Sequence, residues 1–358
     1  MGSFLDNIAM TVPKGKTLIN NSMQLTQNLV DLLGNRIHKL HSITLNGYGS
    51  SRTASLISAA FIEKVSGLPV NLIIPNNISR QVVADPDGLY IFISESGNSK
   101  LLEKDIDLIK EKNAFVVLVT ANVNSTLAKK ADCVVCTGCE DEEFFFHTVG
   151  QCCSTISLMC IGMRLGLERK VITQKQYNEY VAMGNAALDN HPNMVEKAHI
   201  WAKENIDALI NARCIVLFGS GPLFGVAEEG ALKIQEITEK TLAKGYEIYQ
   251  RIYGSTTCFG KDDVVIVLDD GVNETVKGKG IADYMNHHFE NGYLIGPEKQ
   301  AEHDFQIDIK GDEFRMLEFV PIVEIIAYEM ATAMDHPLLD KYHYNADFFE
   351  DYLKVKGK

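Results

Sequence analysis

Twice in this chain, roughly 170 residues apart, a short apolar run ends in a glycine turn and passes into a helical pattern. The first copy is Ser42-Ile-Thr-Leu-Asn46, then Gly47-Tyr-Gly49-Ser50-Ser51, then a small-residue helix from about Ala54 to Lys64. The second is Cys214-Ile-Val-Leu-Phe218, then Gly219-Ser-Gly221, then a helix with Val226, Leu232, Ile234 and Ile237 near one side. An apolar run bounded by turn residues reads as a buried strand, and the glycines permit a tight turn with positive φ. Further apolar runs lie at 70–74, 88–93, 114–119 and 133–136 in the first half, and at 264–268, 293–295 and 305–309 in the second. Each half closes on a long apolar helix, at 144–165 and 319–334. Strands alternating with helices imply a parallel sheet covered on both faces. The predicted fold is therefore α/β, two tandem doubly wound parallel-sheet units with a helical N-terminus and a C-terminal tail. The expected segments are 1–36 (helical), 37–170 (first unit), 171–211 (helical linker), 212–334 (second unit) and 335–358 (tail).

A length of 358 residues suits two such units, and 46% hydrophobic residues supply their cores. The net charge of -13 disfavours nucleic-acid or anionic-membrane partners, which need a basic face. Met1-Gly-Ser-Phe-Leu-Asp6 lacks the basic start and apolar core of a secretory signal. No run approaches the roughly 18 apolar residues of a spanning helix. A soluble cytoplasmic protein is expected. Cys133, Cys136 and Cys139 form a C-x-x-C-x-x-C run, but Cys133 and Cys136 fall on a predicted strand, where an odd separation puts them on opposite faces. They read as small core residues, as do Cys152, Cys153 and Cys160, and no metal or cofactor is expected.

Two groups of residues carry chemistry. Glu229, Lys233 and Glu236 follow the second glycine turn at i, i+4 and i+7, on one helical face. Two carboxylates and an amine beside a helix N-terminus, where anions bind, suggest acid–base work; the plain reading is a solvated charged face. The second group is the loop Ser94-Glu95-Ser96-Gly97-Asn98-Ser99, set with Ser50 and Ser51 at another strand end. Hydroxyls and a following helix N-terminus can hold a phosphate without a lysine; the plain reading is a capping loop. The second unit has Asp269-Asp270-Gly271 at the corresponding place, so the first unit is the expected phosphate holder. Gly219-Ser-Gly221-Pro-Leu-Phe-Gly225 approaches a dinucleotide turn, but no ribose-binding acid follows in either unit.

Ser94-Glu-Ser-Gly-Asn-Ser99 resembles the S-x-S-G-x-[ST] loop of sugar isomerase (SIS) domains, and Gly49-Ser50-Ser51 resembles their first phosphate loop. Glu229-Gly-Ala-Leu-Lys233-Ile-Gln-Glu236 is similar to the E-G-A-L-K-x-x-E helix of the isomerase half of glucosamine-6-phosphate synthase and of the related fructosamine and fructose-amino-acid 6-phosphate deglycases. Asp335-His336-Pro337 resembles the start of their C-terminal tail. The resemblance implies that Ser50, Ser51, Ser94, Ser96 and Ser99 hold a sugar 6-phosphate, with Glu95 beside the sugar. It implies that Glu236 shuttles a proton between C1 and C2 of the open chain, with Glu229 and Lys233 orienting. It implies no cofactor, a sugar phosphate as the small-molecule partner, and a homodimer in which residues near Tyr253 reach a neighbour's site. A nucleophilic cysteine after the initiator Met, the mark of the synthase's glutaminase domain, is not seen, so a deglycase of 6-phosphorylated ketose-amines is expected over glutamine-dependent synthesis. An aminosugar or aldose–ketose phosphate isomerase or deaminase, and a non-catalytic sugar-phosphate sensor, stay open. One departure is Tyr253, which stands where these families carry a catalytic histidine; tyrosine titrates near pH ~10 and is a poor base at neutral pH. His336, His343 and His147 are the candidate substitutes. Lys341 lies near the place of the synthase's Schiff-base lysine.

Overall fold

The structure, a computed structural model, describes residues 3–74, 84–140, 142, 144 and 146–338. It opens with short helices, α1 (Phe4–Ala9), α2 (Thr11–Asn20), α3 (Ser22–Leu25) and α4 (Gln27–Leu33). The first unit follows as β1 (Ser42–Gly47), α5 (Gly49–Ser66), β2 (Val70–Ile73), β3 (Gly88–Ile93), α6 (Lys100–Lys110), β4 (Phe115–Thr120), α7 (Thr126–Lys130), β5 (Cys133–Cys136) and α8 (Val149–Glu168). After α9 (Gln174–Glu204) and α10 (Ile206–Ile210) comes the second, as β6 (Cys214–Gly219), α11 (Pro222–Thr238), β7 (Ala243–Glu247), α12 (Ile248–Arg251), β8 (Asp263–Leu268), α13 (Thr275–Phe289), β9 (Gly292–Gly296), β10 (Phe305–Gln306) and α14 (Met316–Ala333).

Both sheets are parallel, and their orders are the same: β2-β1-β3-β4-β5 and β7-β6-β8-β9-β10. In this order the chain reverses direction across the sheet between β1 and β3, and between β6 and β8. The crevice beyond the carboxyl ends of such a strand pair is where doubly wound sheets bind ligands. The inner strands are apolar throughout, as burial on both faces demands: every residue of β3, β4 and β8 is buried. α8 is buried from Val149 to Gly166 and packs between α5 and α2; a helix apolar all round belongs in a core.

The unit pattern read from sequence is present, with three differences. The 171–211 segment is helical, but α9 does more than join the units: Tyr177, Leu188, Met194 and Trp201 are buried, and the helix packs on α14 and α2. Strand β7 and helix α13 escape a reading by periodicity, because β7 is a half-exposed edge strand containing Lys244 and Gly245, and α13 contains Gly278 and Gly280. The predicted strand at 305–309 is regular only over Phe305–Gln306, at the sheet edge. Cys133 and Cys136 alternate across β5 as expected, with Asn28 Nδ2 3.8 Å from one sulfur and the Ala121 carbonyl 3.8 Å from the other. Among the described residues no helix is long and apolar enough to cross a membrane.

Candidate active site

The two units meet where α11 crosses α5. Gly225 makes the crossing close: a Cβ there would stand 2.6 Å from Ile57 Cγ1 and 2.8 Å from the Ile57 backbone nitrogen. This approach carries the polar face of α11 to the turn after β1. Ser50 Oγ donates to Glu229 Oε1 at 3.0 Å, and the Thr53 hydroxyl donates to Glu229 Oε2. Lys233 Nζ donates to Ser50 Oγ at 3.1 Å and to Glu236 Oε2 at 3.1 Å, and lies 3.4 Å from Glu229 Oε1. Glu229 and Lys233 are buried, whereas the Glu236 side chain keeps 19% exposure. Burial works against the Lys233 charge, but Glu229 and Glu236 more than offset it and hold the ammonium above its ordinary range. The plain solvated face is therefore not what forms: one buried cation joins two carboxylates and a hydroxyl from the other unit.

One part of the sequence reading is corrected here. The Gly219–Gly221 turn and the Glu–Lys face do not share a site, because Glu236 stands fourteen residues, about 21 Å of helix rise, beyond Pro222. The glycine turn faces its own unit, where Ser220 Oγ donates to Glu247 Oε1 at 3.2 Å. The anion place beside it is filled by side chains. Asp270 Oδ1 accepts the N–H groups of Val272 (2.9 Å) and Asn273 (2.8 Å), and Asp269 Oδ1 accepts that of Gly271 (2.9 Å). Carboxylates thus take the donors that a phosphate would use in this unit.

A cavity of about 190 Å³ lies on the first unit's side, lined by Tyr48, Ser50, Ser51, Glu95, His147, Gly150, Gln151, Ser154, Lys233 and Glu236. A second, of about 420 Å³, shares Glu95 and His147 with it and extends past Ser96, Asn122, Asn124, Cys136 and Glu140. The five predicted phosphate serines divide. Ser51 lines the smaller cavity, and Ser50 lines it while tied to Glu229 and Lys233. Ser96 lines the larger one. Ser94 Oγ accepts the Gly97 N–H at 3.2 Å, and Ser99 caps α6 by accepting the Leu102 N–H at 3.5 Å, as the plain reading has it. Gly97 has φ +64, and a Cβ there would fall 2.1 Å from Ser125 Oγ, so only glycine closes this loop.

Between the cavities stands a group that spacing alone does not reveal. Glu142 lies at the start of α8 and accepts N–H bonds from Thr148 (2.8 Å), Val149 (3.0 Å) and Gly150 (2.9 Å), the anion position of a helix N-terminus. Its other partner is His147 Nδ1 at 3.2 Å. Burial would raise the Glu142 pKa, but His147 and these N–H groups bring it down to about 2. In return the Glu142 hydrogen bond holds His147 above the ordinary imidazole range, with burial and Lys233 opposing and Glu95 adding. Burial pushes Glu95 up to about 7, with Glu142 and Glu140 adding to the rise and His147 opposing it. Behind Lys233, Glu324 is fully buried and its burial, with Glu229 nearby, pushes its carboxyl far above the usual range.

Of the remaining predicted residues, the two that are described, Tyr253 and His336, lie apart from the cavities. Tyr253 is 81% exposed and lines neither. His336 Nε2 is 3.6 Å from Glu239, one turn past Glu236, and also lines neither. Lys341 and His343 fall outside the described residues. Of the two candidate histidines among the described residues, His147 is the one at the cavity. Gln151 and Ser154 were not singled out from the sequence; they sit in an apolar helical run that reads as core.

Comparison with known proteins bears on the fold that positions these residues. Residues 36–161 match the SIS domain. Glutamine–fructose-6-phosphate aminotransferase [isomerizing] 1 of Arabidopsis thaliana is 26% identical over 202 residues, 56% of this chain and 30% of that protein. The Wigglesworthia glossinidia brevipalpis enzyme of the same name is 24% identical over 276 residues, 74% of this chain and 44% of its own. The chain spans less than half the length of these curated relatives. A candidate phosphosugar isomerase from Clostridium difficile 630 shares the fold with a TM-score of 0.87 at 20% identity, covering 97% of this chain and 98% of that one. The C-terminal domain of glucosamine-fructose-6-phosphate aminotransferase from Francisella tularensis follows at 0.79 and 17%, covering 92% and 96%. Residues 36–161 thus match the SIS domain, the chain is similar in sequence to these aminotransferases over 56% and 74% of its length, and it shares the fold of the Francisella tularensis domain.

Proposed function

We propose that the protein cleaves a 6-phosphorylated ketose-amine to a hexose 6-phosphate and a free amine. The observation that carries this reading is the row Glu229, Lys233 and Glu236, delivered by the second unit to a hydroxyl-bearing turn of the first. Glu236 is the base, being the member of the row that keeps exposure at the cavity. Lys233 and Glu229 fix its position, and the Ser51 turn with the N-terminus of α5 takes the phosphate.

The proton path follows from what faces the cavity. Glu236 takes a proton from C1 while the His147 imidazolium gives one to the C2 oxygen, forming an enaminol. Protonated Glu236 then returns its proton to C2 and His147 takes the proton of the amine nitrogen, leaving an imine between C1 and nitrogen. Water adds to that imine and releases the amine. His147 fills the place left by Tyr253, which in the dimer reading serves a neighbouring chain instead. The larger cavity favours cleavage over plain aldose–ketose isomerisation, because it joins the first at the reacting end, beside Glu95 and His147, and has room for the amine's substituent.

A mass-spectrometric screen of 6-phosphofructose-amino acids tests the reading. Hexose 6-phosphate and amino acid should appear together with the wild type. Glu236→Gln should lower kcat by about 10²–10⁴-fold and keep phosphosugar binding. Turnover unchanged in this variant sinks the assignment of the base, and binding without turnover of any compound turns the reading to a sensor.

A further inference from the structure

Gln151 is 2% exposed and lines the smaller cavity, yet neither its amide nitrogen nor its amide oxygen has a hydrogen-bond partner among the described residues. Buried amides are normally paired, and an exception asks for a cause. Ser154, three residues on and 3% exposed, shares its helical face and lines the same cavity. Thr155, by contrast, returns its hydroxyl to the Gln151 carbonyl inside the helix at 3.1 Å. Ser157 Oγ is also buried without a partner among the described residues but lines neither cavity, so Gln151 is the α8 side chain that is both unpaired and turned to the cavity.

We propose that Gln151 is a specificity-determining residue that binds two neighbouring hydroxyls of the sugar chain. The inference rests on the phosphosugar reading above and deepens it. The chemistry of the amide selects the ligand group. A carboxamide presents two donors and an acceptor side by side. A phosphate dianion offers acceptors alone, and an ammonium group offers donors alone, so each would leave one end of Gln151 unpaired. A vicinal diol offers both, each hydroxyl donating and accepting. Gln151 lies in one cavity with Ser51 of the phosphate turn and with Glu236, the base. The sugar carbons that span those two groups carry such hydroxyls. A site that binds a hydroxyl this way discriminates against a substrate lacking it, because its own polar groups are then stranded.

The test is calorimetric binding of glucitol 6-phosphate, a polyol phosphate that cannot react, to the wild type and to Gln151→Met, with inorganic phosphate as the second probe. Gln151→Met should weaken glucitol 6-phosphate by about tenfold to hundredfold and change inorganic phosphate less than twofold. The ligand-free variant should melt at or above the wild-type temperature, since an unpaired buried amide has been removed; a residue kept only for packing would move neither probe selectively. Should Gln151→Met fail to fold, the wild type alone decides: deoxy analogues of the polyol chain should bind about tenfold or more weakly than glucitol 6-phosphate. Equal binding of glucitol 6-phosphate by wild type and variant, or equal loss of both probes, overturns the assignment, as does a wild type indifferent to the deoxy analogues. A wild type that binds the polyol through Gln151 but turns over no ketose-amine refutes the deglycase reading and leaves this one standing. A wild type that binds no sugar phosphate refutes both.

Discussion

Replacing Glu95 with glutamine should stabilise the protein, and more so as pH rises. The carboxyl sits between the two cavities, its Oε1 is buried without a partner among the described residues, and burial raises its pKa from 4.5 to about 7. Gly150 presses on it, since a Cβ there would fall 2.8 Å from Glu95 Cδ, so an isosteric amide fits where a larger group would not. The sign follows from linkage. Below pH 4.5 the group is neutral in folded and unfolded chains and costs nothing relative to glutamine. Between 4.5 and about 7 the unfolded chain ionises while the folded one keeps its proton, so stability is lost progressively. Above 7 the loss is complete, about 3 kcal/mol at 1.36 kcal/mol per decade of pH. Urea unfolding at pH 5.5 and 8.5 measures it: the advantage of Glu95→Gln should grow by about 2 kcal/mol across that interval. The same variant should lose the weakening of phosphosugar binding that an ionised Glu95 imposes above pH 7. An advantage independent of pH would show that the carboxyl is not held neutral by its surroundings and would refute the reasoning.

Two other variants test the charges around it. Lys233→Met leaves buried Glu229 and its neighbour Glu236 without their shared cation, and should cost about 3–5 kcal/mol in urea unfolding; a loss under about 1 kcal/mol contradicts the buried network. Glu142→Gln removes the partner that holds His147 protonated, so the alkaline limb of the rate profile, where the imidazolium acid is lost, should move to lower pH. Glu95, Lys233 and Glu236 also face that histidine or its cavity, and they are unchanged in the variant, so an unmoved limb assigns it to another group.

The glycine turns and apolar runs made the two units legible, because a buried parallel strand has to be apolar and a tight turn has to have glycine. The charged face of α11 was legible as a face, from spacing alone. What it faces was not. Nothing in the residues after Gly221 says that Glu229 will meet Ser50 and Thr53 across a helix crossing, and the nearer glycine turn suggested the wrong neighbour. That information lies in Gly225 and Ile57, 168 positions apart in sequence, whose contact exists only after both units fold. Glu142 and its pairing with His147, itself a candidate from the sequence, were hidden for a related reason: the pairing depends on where α8 begins, and helix termini are the least certain boundaries read from a sequence. Gln151 looked like one polar residue in an apolar run, and its unpaired amide is a property of the cavity rather than of the run.

The similarity of the two sheets makes their chemical inequality informative. Both units place a turn and a helix N-terminus at the same point of the same strand order, so both inherit an anion place from topology. In the second unit Asp269 and Asp270 close it, and Arg315 holds Asp270 at 3.2 Å from the start of α14. With its own place filled by carboxylates, that unit has Glu229, Lys233 and Glu236 on another face of α11, and the crossing at Gly225 turns that face toward the first unit. On the roles proposed above, binding groups and reacting groups come from different units, and the distance between Ser51 and Glu236 is set by helix packing rather than by a loop. A change that loosens the α5–α11 contact should then lower kcat more than it weakens phosphate binding, since the proposed phosphate turn lies within one unit and the proposed base comes from the other.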